Sequence, residues 1–528
     1  MKKFLLLTVA SCMGLASYAA DSKWTASVNG IFENNEAVYS GNVVKMDAAG
    51  NTYVAGQYNK EEVSINGTTY EGIGKSAYIV KYDANGVAQW SVNFKGAVTI
   101  TAIEVDNARV PYIYVAGTFA DEVVIGNNMG LDPETITGAK GEDGSYVVAQ
   151  TSSFIAKYKA DMGLLNKCVT FVPEEIPGVL NLGADAFFTI EDLHYIESKR
   201  EIYVAATYAG VTTKDGVEFN GYSKYDPEWF CSIYTKAASV FSLGLGLADC
   251  SNIITCGPGS ALTESDPYSS ASGVAMTFDA NDDLYVAFAA QGPVKINENN
   301  ASEKKVDCEA GIPSYIFRGV TYAASRFVGI PNEDIEALQP FGVAGLTVDN
   351  GYLKAVTYET VSVGEGDAAQ RVRKTSNYAV KTSRYSNNTV DSFDAPTAGD
   401  VTYGVINKAA YLDGAWVCAM QGIGNDGYTT ADFKVGKLNE STIAAAPVAD
   451  AVTFDINDKV GVYASVAGEG VTYAQYDNEF SSGIYDIIAD DENAPVEYFN
   501  IQGIRVDNPD NGIYIRRQGS KVSKVLVK

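Results

Sequence analysis

The sequence is poor in the residues that usually carry metal and acyl-transfer chemistry. It has one histidine in 528 residues, His194 in Glu191-Asp-Leu-His194-Tyr195, and no Cys-x-x-Cys pair, so a zinc site of the usual kind has no ligands to draw on. A Ser-His-Asp arrangement would have to use His194, and no Gly-x-Ser-x-Gly elbow accompanies it, which leaves His194 as a structural or surface residue. Basic charge is scarce as well. Lys and Arg number 39 against 65 Asp and Glu, a formal net charge of -26, which argues against nucleic acid or an anionic membrane as the main partner. Cysteine is sparse, with seven residues: Cys12, Cys168, Cys231, Cys250, Cys256, Cys308 and Cys418. That density is no disulfide scaffold, and Cys250 and Cys256, which bracket Ser-Asn-Ile-Ile-Thr, are the one pair near in sequence and the candidate bridge. Beyond the first twenty residues no run approaches the about 18 apolar residues of a membrane helix.

The start of the chain does have such character, in a shorter form. MKKFLLLTVASCMGLASYAADSKW puts two lysines before an apolar run and small residues at Ser17, Ala19 and Ala20, the order of a secretory signal peptide cleaved after Ala19 or Ala20. A lipoprotein reading, with a lipid on Cys12, leaves a shorter apolar run and ignores the better site downstream. Removing residues 1–20 takes away Lys2 and Lys3, so the mature charge is -26 - 2 = -28.

Tyrosine (34) and glycine (50) are abundant, and long runs of 3.6-residue periodicity are missing. Short alternating runs broken by Gly, Asn and Asp indicate an all-β chain. The runs repeat. Ser76-Ala-Tyr78-Ile-Val-Lys81-Tyr82 is echoed at Phe154-Ile-Ala-Lys157-Tyr158, Tyr315-Ile-Phe-Arg318 and Tyr378-Ala-Val-Lys381. Upstream of each stands a second echo: Tyr53-Val-Ala-Gly56, Tyr114-Val-Ala-Gly117, Tyr203-Val-Ala-Ala206, Tyr285-Val-Ala-Phe288, Tyr352-Leu-Lys-Ala355 and Trp416-Val-Cys-Ala419. Several follow a strand that ends in an Asp-rich turn, at 43–51, 102–109, 275–283 and 451–459. Each unit reads strand, Asp turn, strand, loop, strand, turn, strand, with starts near 42, 99, 187, 271, 340, 400 and 450.

Four-stranded antiparallel units at this spacing predict a β-propeller of seven blades over residues 21–481. The last unit lacks a fourth strand after Tyr476-Asp477. Lys23-Trp24-Thr-Ala-Ser-Val28-Asn29 resembles Gln89-Trp90-Ser-Val92-Asn93, the fourth strand of the first unit, and is expected to supply it, which would remove an exposed edge. The first unit, Gly50-Asn-Thr-Tyr53-Val-Ala-Gly56 with Tyr78-Ile-Val-Lys81-Tyr82-Asp83-Ala-Asn-Gly86-Val-Ala-Gln-Trp90, resembles the β-propeller repeat of secreted Bacteroidetes proteins. Asp83-x-x-Gly86-x-x-x-Trp90 also resembles the blade signature of quinoprotein dehydrogenases, but it occurs once, and no cofactor is implied.

Residues 482–495, with Asp490-Asp-Glu492 and Pro495, read as a linker, and 496–528 as a small module of three short strands. Its Gly512-Ile-Tyr-Ile515 strand, Gly519-Ser-Lys521 turn and final Lys524-Val-Leu-Val-Lys528 are similar to the type IX secretion sorting domain of Bacteroidetes exported proteins, shortened. That resemblance implies transport by the secretion machinery to the outer surface, or a periplasmic location if the module only packs as a β unit.

Acids are plentiful and no pair stands out for glycoside chemistry. Asp279, Asp282 and Asp283, and Asp455 with Asp458, sit where hairpin turns are expected and lack the alternating ligands and terminal Glu of a calcium loop. Gly422-Ile-Gly424-Asn-Asp-Gly427 matches a dinucleotide fingerprint in letters but leads into a strand, so no helix N-terminus awaits a phosphate. The sequons at Asn66, Asn300, Asn387 and Asn439 carry little weight given the bacterial origin that the resemblance implies. The expectation is a monomeric, exported binding or scaffolding protein for a protein or glycan. Its binding face would be built on the insertions at 126–151, 212–231 and 257–272, and the competing reading is a carboxylate-dependent glycan hydrolase or lyase.

Overall fold

A computed structural model describes most of residues 22–528; the longest stretches outside the described residues are 140–149, 259–269 and 479–495. Cys12, Ala19 and Ala20 lie outside them, as do parts of all three insertions. None of the described residues is in an α-helix, and the chain divides into two compact units, Met1–Asn478 and Glu479–Lys528.

In the first unit, seven antiparallel sheets each contain four strands paired in succession. Sheet one holds Val43–Met46, Thr52–Tyr58, Ser76–Tyr82 and Ala88–Lys95. Sheets two to six follow the same order, with first strands Val98–Val105, Phe187–Ile196, Ser270–Phe278, Ala337–Asp349 and Val401–Leu412. Sheet seven has Thr453–Ile456, Val460–Ala467 and Gly470–Asp477, and its fourth strand is the N-terminal Trp24–Val28, in register from Trp24↔Gln475 to Val28↔Val471.

The alternation read in residues 76–82 does not translate into one wet face. Both middle strands of sheet one, Thr52–Tyr58 and Ser76–Tyr82, are buried at every position. The reason is that sheets stack on both sides. Tyr53, Ile79 and Trp90 of sheet one share a core with Ile103, Phe119 and Phe154 of sheet two. Further cores join sheets two and three through Tyr114, Ile155, Phe188 and Phe241, sheets three and four through Val240, Ile254, Met276 and Phe288, and sheets four and five through Tyr315, Phe317, Phe341 and Leu353. Val356 of sheet five packs with Trp416 and Met420 of sheet six. Val462 and Tyr473 of sheet seven, with Trp24 and Val28, pack on Val44, Val54 and Tyr78 of sheet one, where Tyr78 and Tyr473 also share a buried hydrogen bond of 2.8 Å between their hydroxyls.

Two repeated devices explain the sequence echoes. An Asp or Asn side chain closes the turns: Asp47 Oδ1 accepts the N–H of Ala49 and Asn51, Asp83 Oδ1 those of Asn85 and Val87, Asp106 Oδ1 those of Ala108 and Tyr112, and Asn457 Oδ1 those of Lys459 and Val460. The lysine near the end of the third strand crosses to the next sheet. Lys81 Nζ donates to Ala160 O at 2.9 Å and Lys157 Nζ to Leu245 O at 2.6 Å, which is why these lysines are buried. Trp90 Nε1 donates to the same Ala160 O at 3.1 Å, and its ring lies on Gly163, where a β-carbon would come within 2.7 Å of it. Trp24 lies on Gly86 in the same way, a β-carbon there falling 2.6 Å from its ring.

Neighbouring sheets are also tied by hairpins between second and third strands. Glu122–Ile125, paired with Glu134–Thr137, adds to the outer strand of sheet one through Val124↔Lys95 and Ile125↔Phe94. Pro293–Glu298 adds to Ser251–Pro258, the outer strand of sheet three.

The second unit is a four-stranded antiparallel sheet in the order Arg505–Val506, Val496–Phe499, Gly512–Gln518, Lys521–Val527. The three strands expected there are four, because a two-residue strand such as Arg505–Val506 leaves no alternation to read.

Candidate functional site

The first strands of neighbouring sheets carry charges toward one another. Lys45 of sheet one stands 2.7 Å from Glu104 Oε2 of sheet two, and Asp455 Oδ2 of sheet seven accepts the Met46 N–H at 2.7 Å. Burial opposes a charge on Lys45, yet Glu104, Asp455 and Asp192 together outweigh it and hold the ammonium's pKa above its ordinary value. Lys45 is therefore a fixed cation; it has no free amine for covalent or base chemistry at neutral pH.

The first strands are also bulged at comparable places, between Ile100 and Ala102, Ile190 and Asp192, Ala271 and Gly273, Val343 and Gly345, and Tyr403 and Val405. Bulges re-aim side chains and are frequent beside binding sites. In sheet three the bulge carries Glu191 and Asp192. Protein surrounds Glu191 closely enough that burial raises its pKa. The Thr207 hydroxyl, donating to Oε1 at 2.6 Å, works against that rise, and the Asp192 charge adds to it. Both acids are nonetheless exposed to solvent.

These residues were not singled out from sequence, although a signal exists. Lys45, Glu104 and Asp455 each stand two residues before the side chain that closes the turn: Asp47, Asp106 and Asn457. Asp455 corrects the sequence reading directly, since Asn457 closes the turn and Asp455 reaches across to Met46. Asp279 does close its turn, with Oδ1 accepting the N–H of Asn281 at 2.8 Å and of Asp283 at 3.1 Å.

The other sequence candidates are dispersed. The His194 ring stacks on Phe278, centroids 4.8 Å apart and planes at 13°. Cys250 and Cys256 do not form the expected bridge. Cys256 is buried within the extended strand Ser251–Pro258, and six residues of strand put its Cα roughly 20 Å from that of Cys250, far beyond disulfide reach. Burial pushes the Cys250 thiol up to about 12. Gly422 belongs to the strand Ala415–Ile423, where a β-carbon would strike Val401; it is a packing glycine, and Asn425 to Gly427 lie outside the described residues. The insertions at 126–151 and 212–231 join second to third strands, and 257–272 joins a fourth strand to the next first strand; in antiparallel sheets of this order all three leave from the same end. The Asp-closed turns lie at the opposite end.

No family model matches the chain, and no curated protein matches it. Among solved structures it is similar to an uncharacterized protein of Listeria monocytogenes, at 10% identity over 83% of this chain and 92% of that one, with a TM-score of 0.31. It is also similar to an endo-1,5-α-L-arabinanase of Thermotoga petrophila, at 9% identity over 68% and 96%, with a TM-score of 0.18. Overlaps this loose carry no argument about this chain's chemistry. Among the described residues no helix is long and apolar enough to cross a membrane.

Proposed function

We propose that the seven sheets are the blades of a β-propeller closed by the N-terminal strand, and that the protein is exported to bind a protein or glycan at the insertion end. What supports the ring is the succession of face-to-face cores, which runs from sheet one to sheet six and resumes between sheet seven and sheet one, where the two ends of the unit meet. What supports export is the signal-like N-terminus and the resemblance of residues 496–528 to a type IX sorting domain.

Recognition is preferred over hydrolysis on one observation: the acids of the first strands already have protein partners. Glu104 is held by Lys45, Asp455 by the Met46 amide and Glu191 by Thr207. Incubating the mature chain, from residue 21, with glycan and protein arrays and then analysing each bound glycan for cleavage tests the preference. Retention of an intact ligand is the expected result. Cleavage that disappears in Glu191→Gln would establish the hydrolase reading instead, which the raised pKa of Glu191 beside Asp192 favours. Export is tested by fractionating cells that carry the full gene or one lacking the codons for 496–528; loss of surface protein in the truncation alone is expected.

A further inference from the structure

A cleft of about 450 Å³ lies at the edge of sheet one, walled by Glu61, Glu62, Glu71, Lys95 and Ile73, the last between two glycines. That volume is within the range of about 300–1,000 Å³ usual for ligand pockets. Its walls come from the loop between the second and third strands, 59–75, and from the end of the fourth strand, so it lies at the end of the sheets from which the insertions leave.

The loop folds back as a hairpin, Glu62–Ile65 against Thr68–Glu71, turned by Asn66 at φ +52 and Gly67 at φ +76, the left-handed pair that a two-residue turn favours. Val63 and Ile65 are buried in one core with Tyr58, which leaves Glu62 on the exposed face of the strand. Hydrogen bonds fix the walls. The Tyr58 hydroxyl donates to Glu71 O at 2.9 Å, and the Gly72 N–H to Glu61 O at 2.8 Å. The buried Ser76 hydroxyl accepts the Ile73 N–H at 3.0 Å and donates to Ile73 O at 3.1 Å. On this held backbone the Ile73 side chain is 63% exposed, so it loses little freedom when covered.

The charges that line the cleft are unequal. Lys95 Nζ is already engaged by Glu71 Oε2 at 2.6 Å, and its hydrogen bond and charge hold that carboxyl below its ordinary pKa. Of the lysines nearby, Lys60 pairs with Glu469 at 3.7 Å, and Lys75 is exposed and outside the lining. Glu61 and Glu62 have no ion pair among the described residues, so two uncompensated carboxylates stand beside an exposed aliphatic side chain. No group of three acids among the described residues could hold a metal ion, and no aromatic ring lines the cleft for a sugar to stack on.

We infer that this cleft receives a lysine or arginine side chain of a protein partner, its methylenes covering Ile73 and its cationic head held by Glu61 and Glu62. The inference rests on the reading that a partner binds at the insertion end, and it narrows that partner to protein.

The test uses the mature full-length chain, isotope-labelled at the isoleucine δ1 methyls, with the Ile73 signal identified by its loss in Ile73→Val. Nα-acetyl-lysine N-methylamide and its uncharged counterpart, Nα-acetyl-norleucine N-methylamide, are titrated in turn. The Ile73 signal is expected to move saturably with the lysine probe and to stay in place with the norleucine probe. Glu61→Gln with Glu62→Gln, two isosteric changes at exposed positions, should weaken the lysine probe roughly fivefold by removing two exposed charge pairs. Lys95→Gln, which releases Glu71, should tighten it. The inference is overturned if the Ile73 signal ignores both probes or follows both equally, or if the glutamine double variant binds the lysine probe as the wild type does. On the protein array, a partner retained equally by the wild type and the double variant would overturn this inference alone, whereas an array that retains nothing would overturn the binding reading with it.

Discussion

Replacing Gly86 by alanine should loosen the strand that completes sheet seven, and two other glycines make the size of the effect interpretable. Gly86 has φ +77 and lies under Trp24, with space for a β-carbon only 2.6 Å from the ring. Gly67 has φ +76 and nothing within 4 Å of its would-be β-carbon. Alanine pays the same left-handed backbone cost of about 1–2 kcal/mol at both positions, so the difference between them isolates the contact with Trp24. Overpacking of this kind costs about 1–3 kcal/mol, which puts Gly86→Ala at about 2–5 kcal/mol and Gly67→Ala at about 1–2 kcal/mol. Gly163→Ala, at φ +65 and 2.7 Å from Trp90, should match Gly86→Ala in magnitude. Urea unfolding followed by tryptophan fluorescence gives the three values. Hydrogen exchange then separates the two severe variants: amides of Gly470–Asp477 should exchange faster in Gly86→Ala and unchanged in Gly163→Ala. Equal destabilisation by Gly86→Ala and Gly67→Ala would refute the packing argument.

Two further outcomes follow from buried polar groups. Lys45→Met leaves the Glu104 carboxylate, with a side chain 9% exposed, without its cation, and should cost roughly 3 kcal/mol; adding Glu104→Leu should recover much of that loss in a double-mutant cycle, and additive losses would contradict the pairing. Burial pushes the Tyr82 and Tyr208 hydroxyls up to about 12, above the ordinary value of 10.0 that the unfolded chain keeps. Their contribution is therefore complete below pH 10 and is lost as pH rises from about 10 through about 12, each tenfold difference in proton affinity between the folded and unfolded chain being worth roughly 1.4 kcal/mol. Absorbance of phenolate against pH should show these tyrosines ionising together with unfolding; free titration near pH 10 in folded protein would contradict their burial.

The strands were legible because the chain states each one twice, once in alternation and once in the turn that ends it. Asp47, Asp83, Asp106 and Asp279 could be read as turn residues because their side chains serve their own backbone, a local act that leaves a local pattern. Trp24 could be placed in sheet seven because it repeats the setting of Trp90. The candidate site was not legible for the converse reason. Lys45, Glu104 and Asp455 act across three sheets and 409 residues of sequence separate Met46 from Asp455, so no short motif holds them. Glu191 and Asp192 depend on a bulge, which shifts register without changing composition. The Cys250 and Cys256 reading failed because proximity in sequence was taken for proximity in space, whereas an extended strand keeps them apart.

Closure of the first unit by its own N-terminal strand can be tested by a single cross-link. Ser27 and Thr472 are paired in register, with Ser27 Oγ and Thr472 Oγ1 3.1 Å apart at the surface and 445 residues between them in sequence. In Ser27→Cys with Thr472→Cys, mild oxidation should join the two positions within one chain, seen as a cross-linked peptide by mass spectrometry and a faster band without reductant. The urea midpoint should rise and return on reduction, with loop closure contributing up to about 6 kcal/mol in the entropic model. Free thiols at both positions, or cross-links only between chains, would contradict the closure on which the proposed architecture depends.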